Sequence, residues 1–260
     1  MSSNLILNSL VMQSALYNLP DQKERQRSNT ELANLFANII VNGQIDSFFE
    51  IGALYAEFSM FIKDRVKNVY AFEASPRNYD LAKDKIEGIN YLNLAVSSYD
   101  GEININMGIS EGANIGADSV LDRIDNGSTE YEKKTVECIK LDTFAENNNL
   151  TGTSKAMWID VEGNSLSVLN GAKSSLISTQ VIFIEMEQVA FWENQSMITE
   201  VNEFLCNYNF VPIARDFEYE NQFNVVYVKR DILYSPSVDI SLQMFYVGMA
   251  TKGSQYVQKI

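Results

Sequence analysis

Short apolar runs alternate with helical stretches along most of the chain, and this alternation constrains the fold more than any other feature of the sequence. The clearest runs are 47–51, 68–73, 156–160 and 181–185. Strands that alternate with helices of about ten to fifteen residues form βαβ units. The sequence therefore predicts an α/β fold, a doubly wound and mostly parallel sheet whose ligands bind at the carboxyl ends of the strands.

Further elements follow from capping and periodicity. Thr30 is predicted to cap a helix over 30–41, and Ser75 with Pro76 is predicted to open another. The remaining predictions are a strand over 89–96, an antiparallel insertion at 102–107, a polar loop over 108–130, a strand at 135–141, one helix with Leu166, Leu169, Ala172 and Leu176 on a single stripe, a helix over 197–207, and a hairpin of 209–214 with 224–229.

Composition excludes several classes of protein. The chain has no His, two Cys and a net charge of −14. The missing imidazole excludes Ser-His-Asp triads and His general bases, and it argues against zinc hydrolases. The negative charge argues against nucleic acid as a partner, and two Cys are too few for a disulfide framework. We therefore expect a reduced, cytoplasmic protein.

The first twenty residues carry no signal for export. They lack a basic region and a cleavage site, and polar residues interrupt the apolar stretch, so no membrane span is expected. Leu7, Leu10, Val11 and Ser14 recur at helical spacing, which predicts an amphipathic packing helix.

Two carboxylates and a glycine at the first two strand ends predict a cofactor site. Glu50 precedes Gly52 at the end of the first run, and Glu73 follows Gly52 by 21 residues. A carboxylate at that offset can accept hydrogen bonds from an adenosine ribose. A dinucleotide would need a G-x-G-x-x-G turn, whereas S-adenosylmethionine has no phosphate and tolerates a looser one. The more glycine-rich stretch 112–116 is interpreted as a loop that lines the site.

Several short motifs, taken in order, resemble the FkbM family of S-adenosylmethionine-dependent methyltransferases over about residues 46–230. The motifs are Phe49-Glu50-Ile51-Gly52-Ala53, Val69-Tyr70-Ala71-Phe72-Glu73-Ala74-Ser75-Pro76, Asn93-Leu94-Ala95-Val96-Ser97 with Asp100-Gly101, Lys140-Leu141-Asp142-Thr143-Phe144, and Ile159-Asp160-Val161-Glu162-Gly163 with Val168-Leu169-Asn170-Gly171-Ala172.

The resemblance implies a class I, Rossmann-like methyltransferase with a seven-stranded sheet, acting on hydroxyl oxygens of sugars, glycolipids or polyketides. It divides the chain into an N-terminal helical extension (1–45), a methyltransferase domain (46–230) and a tail (231–260). The first motif differs from the family, which usually has Asp at Glu50, Asn at Leu54 and Gly at Ala56. The cofactor residues that it implies are Glu50, Gly52, Ala53, Tyr55, Glu73, Ala74, Ser75, Ala95, Val96, Ser97 and Asp160.

The acceptor hydroxyl needs a base, and without His the candidates are carboxylates at strand ends. Asp160 and Glu162 are the first candidates, and Glu185 and Glu187 are the others. The same groups could instead hold Mg²⁺ or simply cap the following helix. Three interpretations stay open: an active O-methyltransferase, a non-catalytic binding or assembly module motivated by Leu54 and Ala56, and a nicotinamide oxidoreductase disfavoured by the missing glycines. The acceptor and the oligomeric state are not predicted.

Overall fold

The structure is a computed structural model that describes residues 22–125, 127 and 129–250. The amphipathic helix predicted within residues 1–20 lies outside this range. The elements in chain order are α1 (Gln22–Asn42), β1 (Ser47–Ile51), α2 (Glu57–Ile62), β2 (Asn68–Glu73), α3 (Pro76–Ala82), β3 (Asn90–Asn93), β4 (Ala95–Val96), β5 (Gly101–Gly108), β6 (Tyr131–Ile139), α4 (Leu141–Asn147), β7 (Lys155–Ile159), α5 (Ser165–Asn170), α6 (Ser175–Ser178), β8 (Thr179–Glu187), α7 (Ile198–Asn207), β9 (Phe210–Arg215), β10 (Gln222–Lys229) and α8 (Pro236–Ala250).

Seven strands form the main sheet in the order β3-β2-β1-β7-β8-β10-β9. Neighbouring strands are parallel except at β10, which is antiparallel to β8 and β9. This confirms the predicted doubly wound, mostly parallel α/β sheet. The strand order reverses between β1 and β7, so a crevice opens at their carboxyl ends. Ile51 is level with both Phe72 and Ile159, which brings the residues after three strands to the same edge.

The predicted third strand over 89–96 is wrong as a single element. Residues 90–93 pair with β2, whereas Ala95 and Val96 pair with Cys138 and Ile139 of β6 in a separate three-stranded sheet, β4-β6-β5. The chain changes sheets at Leu94, whose N–H still bonds to the Glu73 carbonyl. The antiparallel insertion is confirmed, because β5 pairs antiparallel with β6.

Helix α1 covers one face of the sheet and begins earlier than predicted. Its apolar stripe is buried as expected: Leu32, Leu35, Phe36, Ile39 and Ile40. Thr30 lies inside the helix and does not cap it, because the preceding polar residues are themselves helical and its hydroxyl donates to the Gln26 carbonyl.

Helix α8 packs against α1, and the Arg27 guanidinium donates to the carbonyls of Gly248 and Met249. Within the described residues, no helix is long and apolar enough to cross a bilayer. The division into 1–45, 46–230 and 231–260 stays a prediction.

The predicted single helix with the Leu166–Leu176 stripe is wrong, because the chain turns between α5 and α6. A Cβ on Gly171 would lie 2.0 Å from the Ser97 carbonyl oxygen, so this close approach requires glycine. The Asp142 carboxylate then accepts hydrogen bonds from the N–H groups of Ser174 and Ser175, both at 2.8 Å. Leu169, Ala172 and Leu176 stay buried on both sides of the break.

Removing the Asp142 carboxylate is expected to destabilise the protein modestly. Asp142→Ala leaves two N–H groups at the start of α6 without their acceptor, which costs about 1 kcal/mol of unfolding free energy. Urea unfolding followed by circular dichroism measures the loss. Glu146→Ala, an exposed position on the same helix, is the control. Equal unfolding midpoints for the two variants would contradict the capping role.

Candidate functional site

Glu73, at the end of β2, organises the turn that follows β1. Its Oε2 accepts from the Leu54 N–H and its Oε1 from the Ser75 N–H, both at 2.7 Å. Burial raises the pKa of Glu73 to about 7, in spite of these two hydrogen bonds. The Asn78 side chain also bonds to Glu73. A carboxylate has about four lone-pair sites, so Glu73 can still accept a hydrogen bond from a ligand.

Gly52 is required by the fold itself. Its φ is +81°, and a Cβ there would lie 1.7 Å from the Asp160 carbonyl oxygen. The glycine therefore allows β1 and β7 to approach each other. Leu54 and Ala56 also have positive φ, 45° and 51°. Left-handed backbone costs a non-glycine residue roughly 1–2 kcal/mol, so this turn is strained where the family pattern differs.

A cavity of about 180 Å³ lies at the carboxyl ends of β1, β2 and β7, and we call it the switch-point cavity. Gly52, Glu73 and Asp160 line it, with Glu162 beside them. Ala74, Ala95 and Val96, three more of the predicted cofactor residues, also line it. Ile115 and Gly116 close it from the loop between β5 and β6, as expected for the glycine-rich stretch.

A second cavity, of about 530 Å³, lies between α1 and the turn after β1, and we call it the α1 cavity. Glu50, Ala53 and Tyr55 line this one and not the first. The two cavities share Gly52, Leu54 and Asp160. Glu50 Oε2 accepts from the Ser59 N–H at 2.8 Å, and burial raises the pKa of Glu50 to about 7.

Two predicted cofactor residues line neither cavity. Ser75 Oγ accepts from the Asn78 N–H and caps α3, as the sequence predicted. Ser97 is buried, with its hydroxyl 3.2 Å from that of Ser167. Both side chains form hydrogen bonds within the protein. Neither lines a cavity, so their predicted contact with a cofactor stays a prediction.

Three carboxyl groups converge at the ends of β7 and β8. Oxygens of Asp160, Glu162 and Glu185 lie within 4.8 Å of one another. Burial raises the pKa of Asp160 and raises that of Glu185 well above its usual value. Two buried carboxyls this close favour a state in which they carry fewer than two negative charges.

Glu162 lies between the Asp160 and Glu185 carboxyls and the stretch after β8 that carries Trp192. Its φ is +48°. Burial raises its pKa to about 8, and the charges of Asp160 and Glu187 add to the effect. The Trp192 indole donates a hydrogen bond to the Glu162 carboxylate, which favours its charged form. Burial raises the pKa of Glu187 to about 7.

Phe191 and Trp192 follow β8. Trp192 is 1% exposed and packs, while Phe191 is partly exposed. Val181 and Phe183 are buried in the core. Trp158 is only half-buried and stacks on Phe183 with ring centroids 3.6 Å apart.

Sequence reasoning missed the residues that hold the loop over the switch-point cavity. Arg77 forms an ion pair with Asp118, in which Nη2 donates to both carboxylate oxygens at 2.7–2.8 Å, and Asn78 donates to the Ile115 carbonyl. Ser119 donates to the Glu162 carbonyl. No local pattern marks these contacts, because each joins residues that are 37 to 43 positions apart.

The sheet order, the reversal between β1 and β7 and the cavity at that point define a class I methyltransferase fold. The methyltransferase FkbM domain matches residues 36–212. The match spans two thirds of the chain, and the protein therefore belongs to the FkbM methyltransferase family. No match was found among curated proteins.

Several solved methyltransferase structures share the chain path at low identity. Magnesium protoporphyrin IX methyltransferase from Synechocystis, with bound S-adenosylmethionine, is 8% identical, covers 80% of each chain and has a TM-score of 0.41. The N-methyltransferase NodS from Bradyrhizobium japonicum, in complex with S-adenosyl-L-homocysteine, is 10% identical over 88% of this chain and 99% of its own, with a TM-score of 0.41.

A precorrin-6y methyltransferase from Geobacter metallireducens is 12% identical over 77% of this chain and 89% of its own, with a TM-score of 0.40. Identities this low leave the reaction and the acceptor open. Neither the family match nor these structures support a magnesium requirement.

Proposed function

We propose that the protein transfers the methyl group of S-adenosylmethionine to a hydroxyl oxygen of a sugar, a glycolipid or another small molecule. One observation carries the proposal. Glu73, which is placed to bind a ribose, and Glu162, the candidate base, line the same cavity at the switch point of a methyltransferase sheet.

The walls of the switch-point cavity fit this cofactor. Among its described lining residues there is no Lys or Arg, as suits a ligand without phosphate. Asn78 lines the cavity, is 98% buried, and its Oδ1 has no hydrogen-bond partner in the described chain. A buried orphan acceptor is costly, and the adenine amino group or a ribose hydroxyl would satisfy it. Glu50 lines the α1 cavity beyond the shared residues Gly52 and Asp160, and in this proposal the cationic methionine end extends toward it.

The bound cofactor supplies an electrophilic methyl group on a sulfonium. The chain supplies alignment and a base. In the proposed step, ionised Glu162 would take the proton of the acceptor hydroxyl as that oxygen is methylated, and the electron pair of the broken carbon–sulfur bond would stay with the departing thioether. The Trp192 indole, which donates to the Glu162 carboxylate, would orient this base. Alignment of oxygen, methyl and sulfur contributes much of the acceleration.

A non-catalytic binding module is the second candidate, and the strained turn at Leu54 and Ala56 favours it. Titration calorimetry separates the candidates. Binding of S-adenosylmethionine without NAD binding agrees with the proposal. No binding of either supports the module, and NAD binding alone would support an oxidoreductase.

Replacing Glu73 is expected to weaken cofactor binding directly. Glu73→Gln removes charge-assisted hydrogen bonds to the ribose, each contributing about 1.5–3 kcal/mol, so the Kd for S-adenosylmethionine should rise at least about tenfold. Calorimetry measures the Kd, and the melting temperature reports whether the turn at Leu54 is intact. Glu102→Gln, an exposed change on β5, is the control. An unchanged Kd in a folded Glu73→Gln protein would remove Glu73 from the site.

A further inference from the structure

A third cavity lies under the loop between β5 and β6, and we call it the loop cavity. Its volume is about 410 Å³. Of the described residues that line it, only Glu162 also lines the switch-point cavity. The proposed base therefore stands in the wall between the two spaces. A molecule in the loop cavity would meet Glu162 from the side opposite the cofactor.

The walls of the loop cavity suit a hydroxyl-rich ligand. They carry the carboxamides of Asn114 and Gln222 and the hydroxyls of Thr129 and Tyr131. The carboxylate of Asp125 also lines the cavity, and its Oδ1 accepts from the Gly127 N–H. Carboxamides and hydroxyls both donate and accept hydrogen bonds, which is what a polyhydroxylated ring requires. The α1 cavity, in contrast, is lined by the aromatic side chains of Tyr55, Phe58, Phe61 and Trp158.

Arg123 also lines the loop cavity, and it is the one cation on the described walls of the three cavities. Its guanidinium lies 4.7 Å from the Trp192 ring centroid and 5.9 Å from that of Phe191. Backbone hydrogen bonds on both sides fix its position: Ile124 N–H donates to the Phe191 carbonyl and Glu193 N–H to the Asp122 carbonyl.

This guanidinium is available to an anion. In the described chain it forms no ion pair, although Glu162 is close enough to interact with it electrostatically. Arginine binds carboxylate and phosphate groups in bidentate fashion, and stacking on an aromatic ring orients its planar fork for this role.

We propose that the acceptor is a hydroxyl-rich sugar with one anionic group, a carboxylate or a phosphate, which Arg123 binds in the loop cavity. The anchored ring then presents a hydroxyl to Glu162. This inference rests on the proposed methyltransferase function and names the acceptor class for it. Arg123 is a specificity-determining residue here, and it takes no part in the proton transfer.

The test measures binding of four sugars to protein saturated with S-adenosylhomocysteine. Glucuronate and glucose 6-phosphate are the anionic probes, glucose is neutral and glucosamine is cationic. Saturation-transfer NMR and calorimetry give the affinities for the wild type, Arg123→Gln and Lys133→Gln. Lys133→Gln is the matched control, because it also removes one positive charge. Lys133 lies on β6, pairs with Asp122 on the surface and lines none of the cavities.

At least one anionic sugar is expected to bind about tenfold or more tightly than glucose, as for a charge-assisted hydrogen bond. Arg123→Gln should remove most of that preference, and Lys133→Gln should keep it. Preference for glucuronate or for glucose 6-phosphate identifies the anionic group. Equal affinity for glucose and the anionic sugars in the wild type overturns the proposal, as does the absence of any sugar binding.

If Arg123 had only a structural role, the result would differ, because Arg123→Gln would then weaken the binding of all four sugars equally. The wild-type comparison does not depend on the variant folding. Binding of S-adenosylhomocysteine is measured first, in its own titration. Failure of this molecule to bind would count against the methyltransferase function itself.

Discussion

Glu162→Gln is expected to lower kcat by about 10²–10⁴-fold, the usual contribution of a general base, with the Kd for S-adenosylmethionine nearly unchanged. Glutamine has the same shape but takes up no proton. Glu162 lines both the switch-point cavity and the loop cavity, and no other described residue does so. Single-turnover methyl transfer with the acceptor that binds best measures the rate, and calorimetry measures the Kd.

The pH dependence of the rate follows from the raised pKa of this carboxyl. Burial first, and then the charges of Asp160 and Glu187, raise the pKa of Glu162 to about 8. A base must be ionised, so kcat should be half-maximal near pH 8 and reach its plateau about one pH unit higher. The rise should disappear in Glu162→Gln.

Glu146→Gln, an exposed acid on α4, is the control and should keep the wild-type rate and profile. Full activity in Glu162→Gln, or in the double variant Asp160→Asn/Glu162→Gln, would assign the proton transfer to another group.

The second large effect concerns stability, and its direction is unusual for a protein. The melting temperature should fall as the pH rises from about 5.5 to about 8.5. Burial raises the pKa of Glu50, Glu73 and Glu187 to about 7, and that of Glu162 to about 8. In the unfolded chain the pKa of each of these carboxyls is near its ordinary value of 4.5. Between the two values the folded state binds more protons than the unfolded state, so unfolding becomes easier as protons become scarce.

The expected magnitude is several kcal/mol of unfolding free energy. One group contributes at most about 1.4 kcal/mol per pH unit within its window, and four groups titrate in overlapping windows. The net charge of −14 also lowers the stability as the pH rises, because the ionised acids of the folded chain repel one another.

Differential scanning fluorimetry across this pH range measures the slope. Glu50→Gln should flatten the slope, since an amide does not titrate, and Glu146→Gln should not. A melting temperature that rises toward pH 8.5 would contradict the pKa assignments.

The sequence by itself determined the first two strands of the main sheet and the spacing of the carboxylates at their ends. The apolar runs at 47–51 and 68–73 match β1 and β2 residue for residue. A short, mostly buried run leaves a local signal that can be recognised without knowing its partner strands. The spacing from Gly52 to Glu73 also follows from one βαβ unit. Ser75 and Pro76 open α3 as predicted, since capping depends on neighbouring residues.

Only the tertiary structure decided how distant segments meet. The split of 89–96 between two sheets and the break at Gly171 come from pairing and close approach to other strands. The convergence of Glu162 with Glu185, and the loop that places Arg123 over Trp192, likewise join parts of the chain far apart in sequence. Local patterns record whether a residue is buried, whereas the pKa of a carboxyl and the walls of a cavity depend on which atoms the whole fold brings within a few ångströms.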